Sequence, residues 1–175
     1  MNAYDFELSF ALPPMDGDID DLADLLYQSG CDDATLGVGL KGHVAMMFTR
    51  TAGSAREAML SAIADVRRGI PEARLQEADP DLVGLSDAAE LLGVSRQNVR
   101  KLVVDSSASP PAPTHLGNPA LWHLADLLRW LREVKRYRVD GRLVEVAETT
   151  RQVNLAIAGK AADRRAQREI LALLR

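Results

Sequence analysis

The chain is poor in cysteine and has no long apolar run. Cys31 is the only cysteine among 175 residues, which excludes an internal disulfide and a cysteine metal cage and fits a reducing compartment. No apolar run approaches the roughly 20 residues that a membrane-spanning helix needs. The first residues lack the basic and apolar segments of a signal peptide. We therefore expect a cytoplasmic protein with no membrane partner.

Side chains that would form a catalytic or metal centre are also sparse. His43, His115 and His123 are dispersed, and none lies at metal-ligand spacing from Cys31 or from a carboxylate. The glycine-containing stretch at residues 37–42 is too short for a nucleotide-binding loop, and its glycines fit a hairpin. We expect no enzyme, no metal site and no cofactor.

Acidic and basic residues are distributed unevenly, which the net charge of −4 conceals. Residues 1–84 carry 6 basic and 15 acidic side chains, a net charge of −9. Residues 85–175 carry 15 basic and 10 acidic side chains, a net charge of +5. This asymmetry is typical of two domains with different partners. The basic half is the one compatible with nucleic acid.

The acidic front half alternates between strand and helix patterns. Apolar residues occupy every second position in its first segment, which predicts a strand, and recur at helical spacing in the next. Strands are predicted at residues 4–12, 35–40, 43–49 and 74–78, and helices at residues 18–29 and 54–68. The order β-α-β-β-α-β is that of a ferredoxin-like domain, an antiparallel sheet with two helices on one face. Such a domain binds a ligand, a protein partner or its own copy, and the fold does not choose among these.

After a boundary at residues 79–81, residues 85–102 predict two short helices joined by a tight turn. Ser86 is predicted to cap the first helix, Gly93 to make the turn, and Ser95 to cap the second helix. This is the layout of a helix-turn-helix, which places its second helix in the major groove of DNA.

The second helix of this motif has a polar, basic outer surface. Val99, Leu102 and Val103 are expected to pack inward. The helical repeat of about 100° per residue then directs Gln97 and Lys101 outward. Such side chains suit base edges and phosphates. A solvated two-helix corner would look similar, but we favour DNA reading because the turn, the caps and the core spacing agree. The predicted DNA-binding residues on this helix are Ser95, Arg96, Gln97, Asn98, Arg100 and Lys101.

Residues 110–131 contain a proline-rich loop, a glycine, a tryptophan and an Asp-x-x-x-Trp-Leu helix in that order. These features are Pro113, Gly117, Trp122 and the helix from Asp126 to Trp130 and Leu131. With the helix-turn-helix, they make residues 83–133 similar to the excisionase/AlpA-like branch of the MerR-type winged helices. The resemblance implies a winged helix-turn-helix DNA-binding domain over residues 83–137.

The predicted wing departs from that family at its tip, where family members often carry arginine or lysine. This chain has no strong cation there, so phosphate contact is expected from backbone amides and neutral side chains. The candidate wing residues are Ser106, Ser107, Thr114 and His115. His115 fits an ordinary loop residue equally well. Trp122 and Trp130 are interpreted as core residues rather than as stacking platforms.

Residues 139–175 predict a C-terminal helical region with an apolar stripe. The stripe residues assigned to dimerisation are Leu143, Val146, Val153 and Ile157. A stripe of this length packs either on its own domain or on a second copy. We favour the second copy because DNA half-sites mirror the symmetry of a dimer, and in MerR-like proteins a C-terminal helix often forms it.

These observations predict an α+β protein made of three parts. They are an acidic ferredoxin-like domain at residues 1–79, a winged helix-turn-helix at residues 83–137 and a dimerisation region at residues 139–175. The expected function is a transcriptional regulator, a homodimeric repressor that binds an inverted repeat in double-stranded DNA. One alternative is an antitoxin-like protein whose acidic domain binds a partner protein while the helix-turn-helix represses its own operon. The other is an excisionase-like architectural factor that bends DNA.

Overall fold

The structure is a computed structural model and describes residues 1–15, 18–37, 39–103 and 109–174. Within these residues it contains seven helices, a four-stranded antiparallel sheet and a two-stranded ribbon. The mixed α+β class predicted from the sequence is therefore confirmed. None of the described helices is both long enough and apolar enough to cross a membrane.

The larger sheet and its two helices occupy the front half of the chain. Its elements are β1 (Asn2–Ala11), α1 (Ile19–Gln28), β2 (Ala34–Gly37), β3 (His43–Ala52), α2 (Ala55–Gly69) and β4 (Arg74–Asp79). The strand order is β2-β3-β1-β4. The pairing of β1 with β3 runs from Asn2 opposite Ala52 to Ala11 opposite His43. The elements follow the predicted order, with β2 shorter and β3 longer than expected.

One face of this sheet forms the first hydrophobic core. Tyr4, Phe6, Leu8 and Phe10 are each at most 4% exposed, as the alternating pattern of this strand predicts. Phe6 stacks on Phe48 of the neighbouring strand, with ring centroids 5.3 Å apart. The apolar sides of α1 and α2 pack onto the same core. Both helices therefore lie on one side of the sheet.

A second core lies in the next part of the chain. Its elements are β5 (Leu82–Val83), α3 (Leu85–Leu91), α4 (Arg96–Val103), β6 (Trp122–His123) and α5 (Leu124–Glu133). The prediction that Ser86 caps the first of these helices is wrong. Gly84 is the N-cap residue, and its backbone amide donates to Asp87 Oδ2 over 2.8 Å. The helix thus begins before Ser86, which lies within its first turn.

α6 (Gly141–Ala161) packs against both cores. Val146 is 2% exposed and belongs to the sheet core, with Val153 packed beside it. Val144 and Ala147 belong to the second core. Different sides of one helix therefore complete two hydrophobic cores.

This placement corrects the interpretation of the C-terminal stripe. The residues assigned to a dimer surface were Leu143, Val146, Val153 and Ile157. Leu143, Val146 and Val153 pack within their own chain, and Ile157 is half-buried. For Leu143, Val146 and Val153 the apolar partner is therefore the rest of the same chain. The region ends with α7 (Arg164–Leu173), which has no buried residue.

The predicted boundary at residues 79–81 is a buried junction. Asp81 is 4% exposed, and its Oδ1 lies 2.7 Å from His123 Nδ1. Asn154 Nδ2 donates to Asp81 Oδ2 over 2.9 Å and to the carbonyl oxygen of Ala78 over 2.8 Å. Asn154 Oδ1 also accepts from the Ala78 amide over 2.8 Å. The Asn154 side chain thus pairs with the backbone amide and carbonyl of Ala78 at the edge of β4. Through Asp81 it also links this strand to the second unit.

Candidate nucleic-acid interface

The turn between α3 and α4 is fixed by backbone geometry. Gly93 has φ +65°, a left-handed conformation that glycine adopts without steric cost. The Val94 amide donates to the Ala89 carbonyl over 2.9 Å, which satisfies the end of α3. Ser95 Oγ then accepts from the Asn98 amide over 3.2 Å, as an N-cap does. The predicted turn and second cap are both present.

α4 has one buried side and one exposed side. Val99 and Val103 are 0% and 1% exposed and pack in the second core, as predicted. Leu102 is half-buried at the edge of that core. The exposed residues at and along this helix are Ser95, Arg96, Gln97, Asn98, Arg100 and Lys101. All six predicted positions are thus presented to solvent around one short helix.

The cations of α4 are not neutralised by other described side chains. The ion pairs among the described residues involve none of Arg96, Arg100 and Lys101. Arginine and lysine side chains in this state are suited to phosphate oxygens, and glutamine and asparagine are suited to base edges.

A second candidate segment lies between residues 109 and 121. The backbones of His115 and Leu121 form a bridge with reciprocal hydrogen bonds of 3.2 and 3.0 Å. The His115 ring lies over Gly117, where a Cβ would force the ring to move. Thr114 and His115 are exposed on this small hairpin. Ser106 and Ser107, the other predicted contacts, lie outside the described residues.

Both tryptophans lie in the hydrophobic core beneath this surface, as predicted. Trp122 is 7% exposed and Trp130 is 8% exposed, and both belong to the second core. Trp122 Nε1 donates to the carbonyl oxygen of Pro111 over 3.1 Å. That bond holds the proline-rich segment against the core and positions the hairpin.

Sequence reasoning missed the residues that attach this unit to the rest of the chain. His123 and Asp81 meet although 42 residues separate them. Arg151 Nη1 of α6 donates to Asp126 Oδ1 of α5 over 2.7 Å. Asp126 was assigned to a motif, but neither its pairing with Arg151 nor the pair of His123 with Asp81 has a signal in local spacing.

Comparisons with models of protein families, with curated proteins and with solved structures find no match to this chain.

Proposed function

We propose that the chain is a sequence-specific DNA-binding transcriptional regulator that reads double-stranded DNA with α4. The observation that carries the proposal is the α4 surface itself. Buried Val99 and Val103 anchor the helix in the second core, while three cations and two carboxamides face solvent on its outside. An α-helix of this kind fits the major groove of B-DNA, which is about 12 Å wide.

The surrounding architecture supports the same proposal. We interpret residues 82–133 as a winged helix-turn-helix, with the His115–Leu121 hairpin as the wing. We interpret the sheet order β2-β3-β1-β4 as ferredoxin-like. The resemblance to excisionase/AlpA-like MerR proteins agrees with this interpretation. Repression by occupying a promoter is the proposed mode of action.

Selection of bound sequences from random DNA, followed by fluorescence anisotropy, tests the proposal. We propose that the regulator acts as a homodimer, so enrichment of one inverted repeat is the expected result, since a two-fold protein prefers a two-fold site. Enrichment of phased sites together with DNA bending would instead favour the architectural alternative. Absence of any enriched sequence would contradict specific recognition.

Substitution of the phosphate-binding candidates tests the surface directly. Arg100→Ala combined with Lys101→Ala is expected to weaken binding at least tenfold. It should also reduce the dependence of log affinity on log salt by about 2, because each phosphate contact contributes about 0.9 to that slope. The matched control is Arg56→Ala with Arg74→Ala, which removes the same charge from two exposed positions on the other unit. Equal affinity in both double variants would overturn the proposal.

The carboxamide side chains of Gln97 and Asn98 are expected to determine sequence specificity, whereas the cations contribute to affinity for any DNA. Gln97→Ala or Asn98→Ala should cost about 1–3 kcal/mol on the selected site, the value of a bidentate base contact. Affinity for random DNA should change little, because non-specific binding rests on phosphates. Loss of affinity on both DNAs to the same extent would remove these residues from base reading.

A further inference from the structure

Leu116 lies at the tip of the hairpin between His115 and Leu121, with its side chain in solvent. It is 86% exposed, and among the described residues Met1 at the chain terminus is the one large apolar residue that is more exposed. Burial of Leu116 therefore contributes little to the stability of the fold. A role for this leucine has to come from something outside its own chain.

The hairpin restrains the backbone on both sides of Leu116. His115 and Leu121 close its base with reciprocal hydrogen bonds of 3.2 and 3.0 Å. The His115 ring lies over Gly117, and Trp122 Nε1 donates to the Pro111 carbonyl from the core side over 3.1 Å. A side chain presented from such a loop loses less conformational entropy on binding than one on a flexible segment.

The surroundings of Leu116 carry no charge. Residues 106–125 contain no Lys, Arg, Asp or Glu, although 26% of the chain is charged, and no other stretch of this length lacks all four. The tip therefore has no cation for phosphate oxygens, which is how proteins usually hold the DNA backbone. It also has no carboxylate that would repel DNA. What it presents is one apolar side chain.

One leucine is too small for a protein partner but large enough for a base step. A stable protein–protein interface buries about 800 Å² on each partner, far more than a single side chain supplies. Single apolar side chains, leucine among them, enter the minor groove and insert between base pairs, which kinks the duplex by about 20–90°. The hairpin belongs to the unit that carries α4, which places this side chain beside a duplex held by α4.

We propose that Leu116 inserts between two base pairs from the minor groove and bends the DNA that α4 reads; this inference rests on the proposed function. The step it enters should be TA or CA/TG, because pyrimidine–purine steps are kinked and unstacked most easily. Leu116 is then a specificity-determining residue that recognises the deformability of a step, while α4 recognises base edges. A bend of this kind occurs within a single inverted repeat and needs no phased sites.

Substitution of the leucine tests the insertion with the full chain and the selected duplex. Energy transfer between dyes at the two duplex ends measures the bend, and 2-aminopurine at the TA or CA step reports unstacking through increased fluorescence. At saturating protein the native chain should increase both signals, and Leu116→Ala should leave both as in free DNA. Leu40→Ala, at a 71% exposed leucine near the β2–β3 turn of the other unit, is the matched control and should behave as native.

A cation at the same position separates insertion from backbone contact. Leu116→Arg should still bind the selected duplex, because α4 is unchanged, but it should not bend it. The added phosphate contact should increase the dependence of log affinity on log salt by about 0.9. For Leu116→Ala this dependence should equal the native one, because no phosphate contact is lost. Retained binding by both variants also shows that both are folded.

The possible failures of the inference differ from a failure of the proposed function. A native complex with a straight duplex, or equal bending and unstacking with Leu116→Ala, would overturn the insertion and leave DNA binding by α4 intact. A lower sedimentation mass of Leu116→Ala without DNA would assign the tip to a contact between copies and would also overturn it. A native chain that binds no duplex would overturn both proposals.

Discussion

At the scale of single residues, Arg50 is the most consequential side chain of the first core. It is 8% exposed at an inward position of β3, between residues that are otherwise apolar. Its guanidinium donates to both oxygens of Asp33 over 2.7 and 2.8 Å and to Asp65 Oδ2 over 2.7 Å. The hydrogen bonds to Asp33, more than those to Asp65, raise the arginine pKa, while burial opposes them. Arg50 thereby ties β3 to the helix layer.

Removing this cation should be costly. Arg50→Met is expected to lower the free energy of unfolding by about 3 kcal/mol, because it leaves Asp33 without its cation and Asp65 with Arg68 as its remaining ion-pair partner. Urea denaturation measures the change. The control Arg56→Met, at an exposed position of α2, should change it by less than about 0.5 kcal/mol. Adding Asp33→Asn and Asp65→Asn to Arg50→Met should restore part of the loss, and the idea fails if these additions destabilise further.

Cys31 is expected to be an unreactive thiol in the native state. It is 4% exposed, and burial is the main reason that its pKa is raised, with the side-chain hydrogen bond between Cys31 and Ser29 opposing. Burial keeps reagents away from the thiol, and the raised pKa lowers the fraction of thiolate, which is the reactive form. Both effects slow modification. A colorimetric thiol reagent should react at least tenfold faster after unfolding in urea than before. Rapid reaction in the native state would show that this part of the core opens.

At the scale of elements, the stability of α6 depends on its N-terminal cap, Asp140. Asp140 Oδ1 accepts from the Arg142 amide over 2.9 Å as the N-cap bond. The side-chain hydrogen bond from Arg142, followed by this backbone bond, lowers the pKa of Asp140 from its ordinary 3.8. The cap is therefore charged in the folded protein at any pH above that value.

Asp140→Ala should lower the free energy of unfolding by about 1 kcal/mol at neutral pH, the usual value of an N-cap. A carboxylate whose pKa is lowered on folding stabilises the protein above its unfolded pKa. This contribution disappears as the pH falls through the folded pKa. The difference between variant and native protein should thus be constant above pH 3.8 and shrink below it. Urea titrations at a series of pH values measure it, and a difference that grows in acid would contradict the cap.

The elements that could be predicted from the sequence are those specified by local patterns. Alternation placed β1, and the turn at Gly93 with the cap at Ser95 placed α4 with Gln97 and Lys101 outside. The partner of α6 could not be predicted in this way. Spacing shows that Val146 faces something apolar, but the same stripe fits a second copy or the chain itself. Asn154 contacts Ala78 across 76 residues, and no local pattern encodes such a contact.

At the scale of the whole molecule, α6 makes the two cores interdependent. Its residues complete both cores, and Thr150 Oγ1 donates to the carbonyl oxygen of Pro80 over 2.7 Å at the junction. Neither core is complete without this helix. The stabilities of the two units are therefore expected to be coupled through α6.

The two cores are accordingly expected to unfold in one transition. Each has its own probe, since Cys31 lies in the sheet core while Trp122 and Trp130 lie in the second core. Thiol exposure and tryptophan fluorescence should give the same urea midpoint, the usual test of two-state behaviour.

The substitution Val146→Ala creates a cavity in the first core. It should lower both midpoints together by the equivalent of about 2 kcal/mol. Leu155→Ala, at a 54% exposed position of the same helix, is the control and should leave both nearly unchanged. If Val146→Ala moved the thiol midpoint and left the tryptophan midpoint in place, the cores would be independent.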